Sequence, residues 1–293
     1  MPQTRRFKQV DVFTAVPLKG NPLAVIFDAD DLSDEQMSAM ARWTNLSETT
    51  FVLKPTDPAA DYRVRIFTPD TEFAFAGHPT LGTAHSLLEA GLKPKNDGFL
   101  IQECGVGLVP VNLQKEGGLA FRAPQASLTA LDDEHLPLLD KVLKGAKRQQ
   151  DVTPMAVKMG LGWLVVRMES AAACLDTKVD ATALEHLLHL SEVHGLAIFG
   201  QHPTGGPADY ELRALLVEQD VLTEDPVTGS ANACLARVLK AQGFPDGGDT
   251  ATRYQVRQGT LRQREGCVAV EYIDGEPWIG GHTCTLIDGT VTL

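Results

Sequence analysis

The sequence lacks the features that mark membrane-spanning, secreted and nucleic-acid-binding proteins. It contains no apolar run of the roughly 18 residues that indicate a membrane-spanning helix. Residues 1–8 contain no apolar core of a secretory signal peptide. The formal net charge is −12 at pH 7, whereas a nucleic-acid surface needs a basic patch. We therefore expect no membrane partner and no nucleic-acid partner, although a local site can still bind a small anion.

Cysteine is scarce and forms no recognisable motif. The five cysteines are scattered, odd in number and without Cys-x-x-Cys spacing: Cys104, Cys174, Cys234, Cys267 and Cys284. This usage is typical of reduced thiols in a cytoplasmic enzyme. We therefore expect a cytoplasmic location.

Motifs for metals and nucleotide cofactors are also missing. The Gly-Val-Gly segment at 105–107 has neither a third glycine nor a following helix pattern. No P-loop, His-Glu-x-x-His or Gly-x-Ser-x-Gly sequence occurs. His186, His189 and His194 lie close together in sequence, but no carboxylate or cysteine completes a clear metal-binding set. We expect these histidines to be solvated or capping residues, and we expect neither a metal nor a cofactor.

One pattern that is present occurs twice. The stretches 77–91 and 229–243 each open with glycine and a polar residue, run through small residues into a Leu-rich segment, and close on glycine. The opening predicts a helix N-terminus, and the closing glycine predicts the residue that follows the C-cap. The offset is 229 − 77 = 152 residues, about half of the 293-residue chain. Such a repeat indicates two similar halves rather than a solenoid, whose period is about 20–50 residues.

Short alternating segments surround both predicted helices and indicate strands. The regular strand–helix alternation of a doubly wound sheet is missing, so antiparallel sheet around one helix per half is the better interpretation. We expect residues 123–130 to be a linker and 132–143 to be a helix. We place the first half at 1–122 together with 283–293, and the second half at 123–282.

The two predicted helix starts are candidate anion sites. Unpaired N–H groups and the positive end of the helix dipole favour a negative ligand at Gly77-His78 and at Gly229-Ser230. Capping alone would explain Ser230. The paired occurrence instead favours two helix starts that converge on a cleft and hold a carboxylate. Asp225, just before a proline, is either a turn residue or an acceptor for a substrate amine or hydroxyl.

Glu48 is the most interesting acid in the sequence. It stands between Ser47 and Thr49 at the entry to an apolar strand. A carboxylate held near apolar residues has a raised pKa and can take and return a proton near neutral pH. The alternative is an exposed glutamate in a loop, and the pattern alone leaves both open.

Five segments, in order along nearly the whole chain, resemble the PhzF family of phenazine-biosynthesis-type isomerases, which is related to diaminopimelate epimerase. Each segment is weak alone, but five in series are specific. They read GNPLAV, NLSET, FTP through Glu72, AGHPT and DPVTGSA, at 20–25, 45–49, 67–72, 76–80 and 225–231.

The resemblance implies an α+β fold of the diaminopimelate-epimerase type. Two pseudo-symmetric domains would each carry a barrel-like, mostly antiparallel sheet around a central helix, and the chain would form a homodimer. The biosynthetic member isomerises trans-2,3-dihydro-3-hydroxyanthranilate, a small anionic substrate, without metal or organic cofactor. By resemblance Glu48 is the general acid and base, and His78 and Asp225 share catalysis with it. The substrate-binding groups would be Gly77, His78, Asp225, Gly229 and Ser230, the glycines through their N–H groups.

The relatives also define the alternatives. Two-base epimerases and proline racemases of this fold carry cysteine directly before each helix-start glycine, where this chain has Ala76 and Thr228. Neither side chain can act as a thiolate base, and Cys234 lies further along its helix, so a two-thiol mechanism is disfavoured. Two alternatives stay open: an epimerase or racemase acting on another amino-acid-like substrate, and a catalytically silent binding or interaction protein. The intact set of Glu48, His78, Asp225 and Ser230 favours an enzyme.

Overall fold

The computed structural model describes residues 3–114, 117–218 and 220–293. The chain divides into two compact units. The first unit comprises Met1–Arg122 and Gly280–Leu293, and the second comprises Ala123–Ile279. The chain therefore returns to the first unit at Gly280, slightly before the expected position 283. No helix of the described residues is long and apolar enough to cross a membrane.

The described residues of the first unit form two helices and nine strands. The helices are α1 (Asp34–Thr44) and α2 (Gly77–Glu89). The strands are β1 (Thr4–Val12), β2 (Asn21–Ile26), β3 (Glu48–Leu53), β4 (Tyr62–Phe67), β5 (Glu72–Phe73), β6 (Phe99–Cys104), β7 (Gly107–Leu113), β8 (Leu119–Arg122) and β18 (Thr283–Thr292).

One mixed sheet runs through the first unit in the order β18-β1-β2-β3-β4-β6-β7-β8, with β5 hairpinned onto β4. The pairs β2/β3 and β4/β6 are parallel, and the other pairs are antiparallel. Helix α2 packs against strands from both ends and the middle of this order: β1, β2, β3, β7, β8 and β18. Such contacts are those of a curled sheet around a central helix. Gly82 allows the close approach, since a Cβ there would lie 2.6 Å from Leu23 Cδ2 and 2.9 Å from Val12 Cγ2.

The second unit repeats this plan with more helix. Its helices are α3 (Leu136–Val142), α4 (Ala171–Asp176), α5 (Ala181–Ser191) and α6 (Gly229–Ala241). Its strands are β9 (Ser127–Ala130), β10 (Met155–Lys158), β11 (Trp163–Arg167), β12 (Gly195–Gln201), β13 (Tyr210–Glu218), β14 (Val221–Asp225), β15 (Arg253–Gln258), β16 (Gly266–Ile273) and β17 (Glu276–Gly281), the last spanning the unit boundary.

From β10 to β16 the second sheet repeats the strand order and the directions of β1 to β7 in the first, whereas the edge strand β9 directly precedes β10 in the chain. Its order is β9-β10-β11-β12-β13-β15-β16, with β14 hairpinned onto β13. Parallel pairs again occur at two places, β11/β12 and β13/β15. The short strands β5 and β14 lead into α2 and α6 respectively, so the repeated sequence pattern marks equivalent helices in two equivalent folds. The α+β class of the sequence analysis is confirmed.

Both repeated helices have the predicted ends. They begin at Gly77 and Gly229, and neither N-cap residue makes a side-chain capping bond. Each ends before a glycine in the left-handed region, with φ of 95° at Gly91 and 72° at Gly243. The next residue closes the helix with a backbone bond, Leu92 N–H to Leu87 O at 2.9 Å in the first unit.

Two local predictions differ from the structure. Part of the expected linker at 123–130 is strand β9, which pairs with β10. The helix expected over 132–143 is a 3₁₀ turn followed by α3, which begins at Leu136 because Pro137 is tolerated only in a first helical turn. Asp225, for which the sequence left a turn residue as one alternative, is the last residue of β14 and pairs with Ala214. For β9 a strand pairing overrides a weak local signal, whereas for α3 the position of Pro137 sets the start.

Candidate active site

Glu48 is the first residue of β3 and lies opposite Leu23 in the parallel pair with β2. Helix α1 is followed by its C-cap residue Asn45, which has φ of 52° and turns the chain back toward the sheet. The Glu48 side chain is 12% exposed. The structure thus places this carboxyl group at the edge of the packed interior, not in an exposed loop.

His78 is the second residue of α2, and its ring contacts Glu48. The Nε2 atom of His78 lies 3.4 Å from Oε2 of Glu48, and the histidine side chain is 6% exposed. Burial lowers the pKa of His78 to about 3. The ring is therefore neutral near pH 7, with one N–H donor and one acceptor nitrogen. A carboxyl group and a neutral imidazole therefore lie side by side at the buried end of β3, in a contact that is not itself a hydrogen bond.

Buried threonines hold this region of β3 against α2 and α1. The Thr83 hydroxyl donates to Thr50 Oγ1 at 2.9 Å, and the hydroxyls of Thr44 and Thr49 lie 2.8 Å apart. Thr49, Thr50 and Thr83 are fully buried. These bonds connect the strand that carries Glu48 to the helix that carries His78, so the pair is fixed on two regular elements rather than on loops.

The buried neutral state of His78 predicts a pH-dependent stability. An unfolded histidine titrates near pH 6.5, so between there and about pH 3 the unfolded chain binds a proton that the folded chain does not. This contribution to stability is present above pH 6.5 and is lost as the pH falls, at about 1.4 kcal/mol per pH unit. Urea unfolding of wild type and His78→Gln from pH 7.5 to 4.5 should give a flatter profile for the variant.

His186→Gln is the matched control for this experiment, because His186 is an exposed helical histidine. Its profile should follow that of wild type. An unchanged slope in His78→Gln would instead mean that His78 binds protons equally in the folded and unfolded chains, and a steeper slope would mean that the Glu48 carboxylate keeps the folded ring protonated.

In the second unit, Asp225 is held by groups at the start of α6. The Thr228 hydroxyl donates to Asp225 Oδ2 at 2.5 Å. Gln258, on β15, donates from Nε2 to Thr228 Oγ1 at 2.8 Å and to the backbone oxygen of Asp225 at 3.2 Å. Asn232 donates to Thr228 O at 2.8 Å. Asp225 is therefore part of a dense polar network at a helix N-terminus.

Ser230, the second residue of α6, is positioned by Trp163. The indole Nε1 donates to Ser230 Oγ at 3.0 Å. Trp163 is 2% exposed and packs on Gly195, where a Cβ would lie 2.5 Å from the ring atom Cζ3. Because the indole N–H can only donate, the serine oxygen accepts and its own O–H remains a donor for a ligand. Ser230 is thus oriented by a neighbouring strand and does not cap its own helix.

Within each unit the structure brings part of the expected set together: Glu48 with His78 in the first, and Asp225 with the start of α6, next to Ser230, in the second. That the starts of α2 and α6, with Gly77 and Gly229, share one ligand stays a prediction. Sequence reasoning missed Gln258 and Trp163, which belong to no motif, and considered Thr228 only for its missing thiol.

The three histidines that lie close together in sequence are solvated. His186, His189 and His194 are all exposed. Across residues 3–114, 117–218 and 220–293, no group of three or more His, Cys, Asp or Glu side chains is arranged to hold a metal ion.

Comparison with known proteins identifies relatives of the whole chain. A family model described as phenazine biosynthesis-like protein (PhzC-PhzF) matches residues 10–289. The trans-2,3-dihydro-3-hydroxyanthranilate isomerase of Pseudomonas aeruginosa is 50% identical over 234 residues, which cover 79% of this chain and 78% of that protein. A Schizosaccharomyces pombe protein named antisense-enhancing sequence 1 is 34% identical over 295 residues, 97% of each chain.

A solved structure agrees with the fold. The PhzF-family phenazine biosynthesis protein of Bacillus anthracis matches with a TM-score of 0.82 at 22% identity, covering 99% of each chain. The resemblance and the fold expected from the five sequence segments are confirmed.

Proposed function

This chain belongs to the phenazine biosynthesis-like protein family and is an isomerase of that family, and from this premise we propose its reaction and its substrate class. We propose that it moves a proton between carbons of a small anionic substrate, a cyclic amino or hydroxy acid. The substrate resembles trans-2,3-dihydro-3-hydroxyanthranilate, which the Pseudomonas aeruginosa relative is named for. No metal and no organic cofactor take part in the proposed reaction.

The observation that carries this proposal is the contact between Glu48 and His78. The isomerisation breaks a C–H bond at one carbon, shifts the electron pair along the adjacent double bond, and forms a C–H bond at another carbon. Glu48 takes the first proton as general base and returns it as general acid. Its 12% exposure limits exchange of that proton with water. The neutral His78 ring accepts or donates a hydrogen bond as the carboxyl group changes state.

The remaining residues bind the substrate in this proposal. The substrate carboxylate accepts hydrogen bonds from Ser230 and from the N–H groups of Gly77 and Gly229, which lie at positive helix ends. Asp225 accepts from the substrate amine or hydroxyl and assists catalysis. We further propose that the enzyme works as a homodimer in the cytoplasm.

The test uses purified wild-type enzyme with trans-2,3-dihydro-3-hydroxyanthranilate as probe. We expect isomerised product, followed by proton NMR, and an unchanged rate after dialysis against a chelator. Absence of product, together with solvent-hydrogen exchange at the α-carbon of other cyclic amino acids, would support an epimerase instead. Saturable binding without any exchange would support a silent binding protein.

A further inference from the structure

We propose that Thr228 and Gln258 are positioning residues that orient the Asp225 carboxylate toward the substrate. The inference rests on the proposed function, in which Asp225 anchors the substrate. Thr228 is the N-cap residue of α6, directly before the helix, and makes no side-chain capping bond. Its hydroxyl instead donates a hydrogen bond to the Asp225 carboxylate.

Gln258 is fully buried, and its amide bonds to the segment around the start of α6. Its Oε1 accepts from the Thr228 N–H and from Asn232 Nδ2, each at 3.0 Å. Its Nε2 donates to Thr228 Oγ1 and to Asp225 O. These four bonds match the full capacity of a glutamine amide, two as acceptor and two as donor. The amide orientation is fixed as well, because the Thr228 backbone N–H can only donate and must therefore face Oε1.

The hydrogen bonds run from Gln258 through Thr228 to Asp225, and their direction follows from which groups can donate. Gln258 Nε2 has no acceptor capacity, so the Thr228 hydroxyl oxygen accepts from it. The single hydrogen of that hydroxyl is then directed to Asp225 Oδ2, 2.5 Å away. Hydrogen bonds to an ionised carboxylate are short and about twice as strong as neutral ones. One oxygen of Asp225 is thereby held, and this sets the direction in which the carboxylate faces.

The first unit provides an internal comparison. Gln102, also fully buried and on the strand after the central helix, donates to Thr80 Oγ1 at 3.0 Å. Thr80 then donates to the backbone oxygen of Ala76 at 2.9 Å. Both units thus place a buried glutamine against the start of the central helix. At the residue before the helix the first unit has Ala76, which carries no hydroxyl, whereas the second has Thr228, whose hydroxyl donates to Asp225. The first unit packs its central helix without a hydroxyl at this position, so the bond from Thr228 to Asp225 is not needed to hold a helix in place. This difference indicates that Thr228 orients Asp225.

The experiment compares Thr228→Val, which keeps the shape and loses the hydroxyl, with Thr228→Ser, which keeps the hydroxyl. With the probe trans-2,3-dihydro-3-hydroxyanthranilate, the valine variant should lose about 10- to 100-fold in kcat/KM, mainly through a higher KM. The serine variant should stay within about three-fold of wild type. A loss of folded protein would instead lower kcat at unchanged KM. Equal losses in both variants, or no loss in Thr228→Val, would overturn the proposal.

A second measurement does not depend on activity. Crystal structures of both variants should show the Asp225 carboxylate rotated away from its wild-type direction in Thr228→Val and retained in Thr228→Ser. An unmoved carboxylate in Thr228→Val would overturn the positioning role even if wild type turns the probe over. If wild type neither binds nor converts the probe, the proposed function fails, and these structures still decide whether Thr228 orients Asp225.

Discussion

Replacing Glu48 with glutamine should lower turnover by at least about 10²- to 10⁴-fold, the usual contribution of general acid–base catalysis. Glutamine keeps the shape of the side chain but cannot take or return a proton. Because the groups proposed to bind substrate lie elsewhere in the chain, binding should persist. Turnover and ligand binding are to be measured on the same purified Glu48→Gln protein with the probe trans-2,3-dihydro-3-hydroxyanthranilate.

Glu35→Gln is the matched control, since Glu35 is an exposed acid on α1 of the same unit. Its turnover should equal that of wild type. Near-normal turnover in Glu48→Gln would remove Glu48 from the mechanism and assign the proton transfer to His78 or Asp225.

Replacing Asp246 with asparagine should be strongly destabilising, because it leaves the Arg167 guanidinium buried without its counter-charge. Both side chains are nearly inaccessible, at 6% and 7% exposure, and Arg167 Nη1 donates to Asp246 Oδ2 at 3.0 Å. The Tyr210 hydroxyl donates to the same carboxylate. Removing one partner of a buried pair costs about 3–5 kcal/mol. For a domain of this size the corresponding fall in Tm is roughly 6–20 °C.

The control is the exposed ion pair between Lys158 and Glu192, whose side chains are 43% and 78% exposed. Lys158→Gln should change the free energy of unfolding by less than about 1 kcal/mol, because solvent screens such pairs. Thermal and urea unfolding of the two variants beside wild type measure the contrast. An Asp246→Asn effect as small as that of Lys158→Gln would contradict a stabilising role for the buried pair.

The repeated helices were predictable because their signals are local. A helix start and a left-handed glycine after the last turn are set by backbone conformation within a few residues, and Gly91 and Gly243 adopt the positive φ that the pattern predicted. The offset of 152 residues between the two copies indicated the duplicated fold. The start of α1 is equally local, since Ser33 and Gln36 form a capping box in which the two residues bond reciprocally.

The pairing of the strands could not be predicted from the sequence. The parallel contacts of β2 with β3 and of β4 with β6 join segments whose alternating patterns carry no information on direction. Strand β9 is four residues long and mostly exposed, so its sequence resembles a linker, and only the pairing with β10 makes it a strand.

The sequence alone determined the two helices, the duplicated α+β plan and the identity of the candidate residues, because these depend on local propensity and on short motifs. Tertiary structure decided which residues meet. His78 reaches Glu48 because α2 packs on β3. Gln258 reaches Asp225 and Thr228 because β15 pairs with β13 beside the start of α6. Such contacts depend on how separate elements pack and on the register of their strands, and neither is encoded in the spacing of residues within one segment.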